Sequence, residues 1–170
     1  MNQTFTSYLS LGSNLGDKLE NLKNAVNAID INIGKIIQIS NIYETPSWGF
    51  EGDVFYNLCL KTKTTLQPNE LLSNILELEK TLGRKRKDTQ EYQNRNIDID
   101  IILYESIKIT SQNLIIPHPR TLERKFVLIP LADIYDEDPY PFNNFSLLKN
   151  IEQCNDTGAI KKTIHSISKP

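Results

Sequence analysis

An α+β fold is predicted for this 170-residue chain by three observations. Two apolar stripes recur at helical spacing, at Leu15–Ile29 and Leu71–Leu82. Short apolar runs with strand character flank both stripes. The resulting order is strand, helix, strand, strand, helix, strand, with no internal repeat or low-complexity segment.

The first strand is Tyr8–Leu11, ended by Gly12, Ser13 and Asn14. Leu15, Leu19, Leu22, Val26 and Ile29 form the first helical stripe. Asn14 is the expected N-cap, with Asp17 in the first turn, where a carboxylate meets the positive end of the helix dipole. Isoleucine-rich Lys35–Tyr43 reads as the second strand. Glu44–Asp53, holding Pro46, Gly49 and Gly52, reads as a loop. Phe55–Thr62 is the third strand. Pro68 opens the second helix, where its missing N–H costs nothing. That stripe is Leu71, Ile75, Leu78 and Leu82, and Gly83 suits the C-terminal cap. A basic loop, Arg84–Arg95, leads into the fourth strand. A short hairpin arm (Ser106–Ile116), a proline-framed helical turn (Pro117–Leu131), a turn-rich break (Asp136–Pro141) and a modest helix with a polar tail complete the chain. The order is that of a split βαβ unit: a ferredoxin-like βαββαβ core, with an antiparallel-rich sheet flanked by helices. One domain over 1–170 is expected, its core about 5–135 and its extension about 136–170.

Composition narrows the function. A chain of this size buries roughly 70% of its unfolded surface and needs no disulfide staple. Net charge is −2, which excludes a generic polyanion binder and demands a local patch for any phosphate. Cys59 and Cys154 have no CxxC spacing, and Cys59 reads as a buried hydrophobe. The N-terminus lacks signal-peptide character, and no apolar run approaches the roughly 20 residues that span a bilayer. The expectation is a cytoplasmic protein without membrane or nucleic-acid partners, working as a monomer.

The fourth strand carries the chemistry. In NIDIDIILY, Asn96–Tyr104, Asp98 and Asp100 interrupt a hydrophobic run. Side chains alternate along a strand, so both aspartates face one way, roughly 6.6 Å apart at about 3.3 Å per residue. Two such carboxylates repel unless a cation lies between them, and Mg²⁺ is held by one or two carboxylates plus substrate phosphates. The bland alternative is a solvated strand face, although aspartate is depleted in strands. The preceding loop, GRKRKDTQEYQNR, sets five basic against two acidic side chains, a local +3. Its arginine forks suit phosphate oxygens. No GxxxxGK[ST] phosphate loop exists, so arginines and metal would carry a triphosphate. His118, in IPHPR, reads as a phosphate or ribose contact or as a packed loop histidine. A metal-dependent nucleotidyltransferase and a ferredoxin-like nucleic-acid-binding module also remain open at this point.

Several motifs together carry a resemblance: YLSLGSNLGDKLENL, SNIYETPSWG, FYNLCL, LELEKTLGRKR, RNIDIDIILY and IPHPRTLERKFVLIPL, in that order over about Tyr8–Ile134. The chain resembles the 6-hydroxymethyl-7,8-dihydropterin pyrophosphokinase family of folate biosynthesis. The resemblance implies transfer of pyrophosphate from ATP to the pterin's hydroxymethyl oxygen, releasing AMP. It implies two Mg²⁺ ions on Asp98 and Asp100, and Arg84 and Arg86 in a mobile catalytic loop. It assigns ATP to Glu79, Arg84, Arg86, Arg95, Ile101, His118 and Arg124. The pterin falls to Thr45, Pro46, Trp48, Phe55, Asn57, Asp98 and Phe126, with Phe55 and Phe126 sandwiching the ring. The chain departs from many members in having Tyr92-Gln93-Asn94 where a Trp-Gly-Pro run precedes the last loop arginine. Trp48 stands where leucine is usual in some relatives, and Phe55 where some have tyrosine.

Overall fold

The computed structural model describes residues 3–84, 94–136 and 146–170. Arg86, its loop neighbours 85–93 and most of the turn-rich break lie outside the described residues. In chain order the elements are β1 (Phe5–Ser13), α1 (Lys18–Asn32), β2 (Lys35–Ile39), β3 (Tyr43–Thr45), β4 (Phe55–Thr64), α2 (Pro68–Thr81) and β5 (Asp98–Tyr104). The hairpin β6 (Ile109–Thr110) and β7 (Ile115–Ile116) follows, then α3 (Lys125–Ala132), α4 (Leu147–Gln153) and β8 (Lys161–Lys162).

The main sheet runs β5-β1-β4-β3-β8, with β2 also paired to β4, and each of these pairings is antiparallel. That is the expected ferredoxin-like order, with its second strand divided in two. Lys35–Tyr43 is therefore not one continuous strand. Ser40 Oγ accepts the Cys59 amide at 2.8 Å, the bond a strand carbonyl would otherwise take, and the Asn41 amide turns to Asp133. The first helix also starts later than expected. Asp17, not Asn14, is its N-cap, accepting the Glu20 amide at 3.0 Å, and Leu15 is left exposed. Gly83 does sit just beyond α2, with φ +86°, the left-handed conformation that closes a helix.

One face of the sheet carries α1 and α2. Leu22, Val26, Ile29, Leu71 and Ile75 pack on Leu9, Leu11, Leu58, Leu60, Ile99 and Ile101, and all are buried. Each such side chain contributes roughly 1.5–3 kcal/mol by leaving water. The other face is covered at one end only. There Val127, Leu128 and Leu131 of α3 and Leu147 of α4 pack on Tyr8, Cys59, Ile102 and Leu103. A bulge makes this possible: Tyr8 pairs with Leu103 but Leu9 with Ile101, so Ile102 is the extra residue. Beyond the bulge, toward Asp98, no helix of the described chain covers the strands.

Candidate active site

Strand alternation aims one set of side chains at this uncovered end. Ser10 and Gly12 come from β1, Phe55 and Asn57 from β4, and Asp98 and Asp100 from β5. With Thr45, Pro46, Trp48, Phe50, Arg95, Arg124 and Phe126 they line one open pocket. Gly12 keeps the floor low. A Cβ there would come within 3.0 Å of Asn57 Oδ1 and 3.4 Å of the Phe55 ring. Asn57 Nδ2 donates to Thr45 Oγ1 at 2.9 Å, which orients the amide. Phe50 meets Phe55 edge-on, their centroids 6.3 Å apart. The Arg124 guanidinium lies 4.8 Å from the Trp48 ring centre and 5.4 Å from that of Phe126. This end of the pocket is thus a slot with flat, π-rich walls.

The other end is charged. Asp98 pairs with Arg84 and with Arg95, the latter at 2.8 Å, and Arg124 stands 3.8 Å from Asp100. Protein atoms crowd Asp100, yet 35% of its side chain stays open to the pocket. Burial and the neighbouring Asp98 charge push its carboxyl up to about 7, against the pull of Arg124. Arg124 Nε is buried without a hydrogen-bond partner. Among the described residues no group of three or more His, Cys, Asp or Glu side chains gathers to hold a metal alone. The donors present are two carboxylates with room for oxygen ligands from elsewhere.

The remaining predicted residues stand behind or beside the pocket. Glu79 is not on the helix surface: it is 1% exposed, accepts the Ile99 amide at 2.8 Å and pairs with Arg84. It pins α2 to β5 and holds Arg84 over Asp98. The Ile101 side chain faces the helices in the core, so its expected ATP contact falls to its main chain. The His118 amide donates to Ile102 O at 3.0 Å, and its Nδ1 accepts the Arg120 amide at 3.2 Å, which assigns the ring proton to Nε2. Burial, then the Arg124 and Arg120 charges, push His118 down to about 4, so the ring is neutral.

Sequence reasoning missed Ser10, Gly12, Phe50 and Asn14. Of these, a glycine inside a strand is a signal of close approach. Asn14, buried and expected to cap a helix, instead joins two loops. Its Oδ1 accepts the Arg95 amide at 2.8 Å, and its Nδ2 donates to Asn94 Oδ1 at 2.7 Å and to Asp53 O at 3.2 Å. The aromatic loop and the end of the basic loop are thereby tied to one side chain.

A paired-carboxylate floor under arginines, opening into an aromatic slot, suits an enzyme that moves a phosphate group onto a flat acceptor. The comparisons with known proteins agree. A model of the 7,8-dihydro-6-hydroxymethylpterin-pyrophosphokinase (HPPK) family matches residues 8–136. The 2-amino-4-hydroxy-6-hydroxymethyldihydropteridine pyrophosphokinase of Porphyromonas gingivalis is 38% identical over 141 residues, covering 79% of this chain and 96% of that protein. A bifunctional protein FolKE of Lactococcus lactis is 44% identical over 135 residues, 78% of this chain but only 38% of that longer protein. The Plasmodium falciparum HPPK-DHPS structure with pteroate shares the fold, with TM-score 0.74 at 18% identity over 90% of this chain and 45% of that one. The chain belongs to the 7,8-dihydro-6-hydroxymethylpterin-pyrophosphokinase family.

Proposed function

We propose that the chain transfers pyrophosphate from ATP to 6-hydroxymethyl-7,8-dihydropterin, giving AMP and the pterin diphosphate, a step of folate biosynthesis. One observation carries this reading: a single pocket joins Asp98 and Asp100 to Trp48, Phe55, Asn57 and Phe126. The slot takes the pterin ring between aromatic faces, and Asn57 reads its amide edge. Triphosphate charge is met by Arg84, Arg95 and Arg124, and Arg86, which lies outside the described residues, is assigned the same role. The orphaned Arg124 Nε supplies a donor with nothing else to bond.

Asp98 and Asp100 are the residues that would hold Mg²⁺. Two carboxylates without a third protein ligand fit the habit of this ion, which fills its shell with phosphate oxygens and water. Bound there, it supplies charge neutralisation and a template for the phosphates. Arg84 and Arg95 both pair with Asp98. The same two guanidinium forks suit the oxygens of an ATP phosphate beside these carboxylates. The working unit in this reading is a monomer, the described residues that line the pocket all belonging to one chain. Among the described residues no helix is long and apolar enough to cross a membrane.

The test is the identity of the nucleotide product. With ATP, Mg²⁺ and the hydroxymethyl-dihydropterin, AMP forms only when the pterin is present. ADP, or pyrophosphate released with the nucleotide moiety transferred, would overturn the reading.

A further inference from the structure

The tail beyond α4 lies outside the segment that the family model matches, yet it touches both walls of the aromatic slot. Helix α3 begins immediately after Arg124 and contains Phe126, both of which line the pocket. The residue before it, Arg124, makes no side-chain cap to the helix's first amides. Asp156 fills the gap from 31 residues away. Its Oδ2 accepts the Lys125 amide at 3.0 Å, and its Oδ1 accepts the Gly158 amide at 2.9 Å. A carboxylate at a helix start is favoured by the dipole as well as by the hydrogen bond.

The same tail then reaches the opposite wall. A Cβ at Gly158 would lie 3.5 Å from Pro46 Cγ. Strand β8 pairs with Tyr43 and Glu44 of β3, and the Thr163 amide donates to Ile42 O at 2.9 Å. A narrow cleft behind the slot records the contact: Thr45, Pro46, Trp48 and Phe126 line one side, and Asp156, Gly158 and Ile160 the other.

Resting on the pterin assignment of this slot, we infer that Asp156 is a positioning residue for the acceptor. It fixes the start of α3, and so the Phe126 wall, against the Thr45–Trp48 wall that β8 holds. The tail is a buttress that sets the width of the slot from behind, without touching substrate.

Trp48 is the only tryptophan of the chain, so its emission reports on this slot directly. Titrating the hydroxymethyl-dihydropterin into the full chain gives a Kd from that emission, beside the KM values for pterin and ATP. Losing a charged hydrogen bond at the α3 start is expected to raise the pterin Kd and KM about tenfold in Asp156→Ala. The ATP KM moves less, and kcat is retained at saturating pterin. Asp156→Asn keeps one acceptor oxygen and falls between the two. Thr163→Pro removes the tail's bond to Ile42 without touching α3 and raises the pterin Kd by a smaller factor. Wild-type pterin affinity in both Asp156→Ala and Thr163→Pro, or a parallel rise of both KM values, overturns the inference. A wild-type chain that turns over no pterin would instead overturn the functional reading on which it rests.

Discussion

The two ends of one sheet face are built from the same three strands and end up as opposites. β1 gives Tyr8 to the covered end and Ser10 and Gly12 to the open end. β4 gives Cys59 to one and Phe55 and Asn57 to the other. β5 gives Ile102 and Leu103 to one and Asp98 and Asp100 to the other. Where α3 and α4 lie, the residues are apolar and their contribution is stability. Where the helices stop, the residues are polar or aromatic, and two like charges sit together at a cost to the fold. Burial and the Asp98 charge raise Asp100 to about 7, so its ionised form is the one the fold disfavours. A β-bulge marks the boundary. The difference teaches that the fold confines its unfavourable electrostatics to the part of the sheet its helices leave bare.

Substitutions at the two ends should therefore be felt in different measurements. Leu128 is fully buried at the covered end. Leu128→Ala is expected to cost about 2–5 kcal/mol of stability by urea denaturation, with KM values unchanged in the folded fraction. Asp98→Ala is expected to lower kcat about 10²–10³-fold while leaving the thermal midpoint nearly in place. If Asp98→Ala unfolded the chain, or Leu128→Ala changed pterin KM, the division between the ends would be lost. Gly12→Ala places a methyl against Asn57 and Phe55, and overpacking of this kind costs about 1–3 kcal/mol, read here as weaker pterin binding.

A pair of opposite pH dependences is also expected in magnesium-free protein. The His118 value near 4 lies below the ordinary 6.5, so below pH 6.5 the unfolded chain binds a proton the folded chain refuses. Its contribution to stability is present above pH 6.5 and is lost as pH falls toward 4. Asp100 runs the other way. Its value near 7 lies above the ordinary 3.8, so the folded chain takes up a proton first and gains stability as pH falls through 7. Urea midpoints across pH 4–8 check both. His118→Gln should remove the first slope, and Asp100→Asn should remove the second and stabilise the protein most above pH 7.

How much was legible follows from the range of the forces. The stripes of α1 and α2 are local patterns, and they led to Leu22, Val26, Ile29, Leu71, Ile75 and Leu78 as core. The aspartates could be read because alternation alone aims Asp98 and Asp100 to one face. Asn14 could not be read: its partners Asp53 and Asn94 are 39 and 80 residues away, and its local context resembles a helix cap. The break between β2 and β3 depends on Ser40 meeting Cys59 across the sheet. β8 is two lysines with no strand pattern at all, extended only because β3 offers an edge. The resemblance assigns Glu79 to ATP, but its burial and its bonds to the Ile99 amide and Arg84 depend on β5, not on its neighbours in α2, and no local pattern shows them.

The most direct test is the magnesium dependence of ATP-analogue binding, measured by calorimetry on the wild type and on Asp100→Ala. In the wild type, affinity should collapse on adding a chelator. In the variant, binding should be weak with and without Mg²⁺. Equal, magnesium-dependent affinity in both proteins would contradict the assignment of the two aspartates.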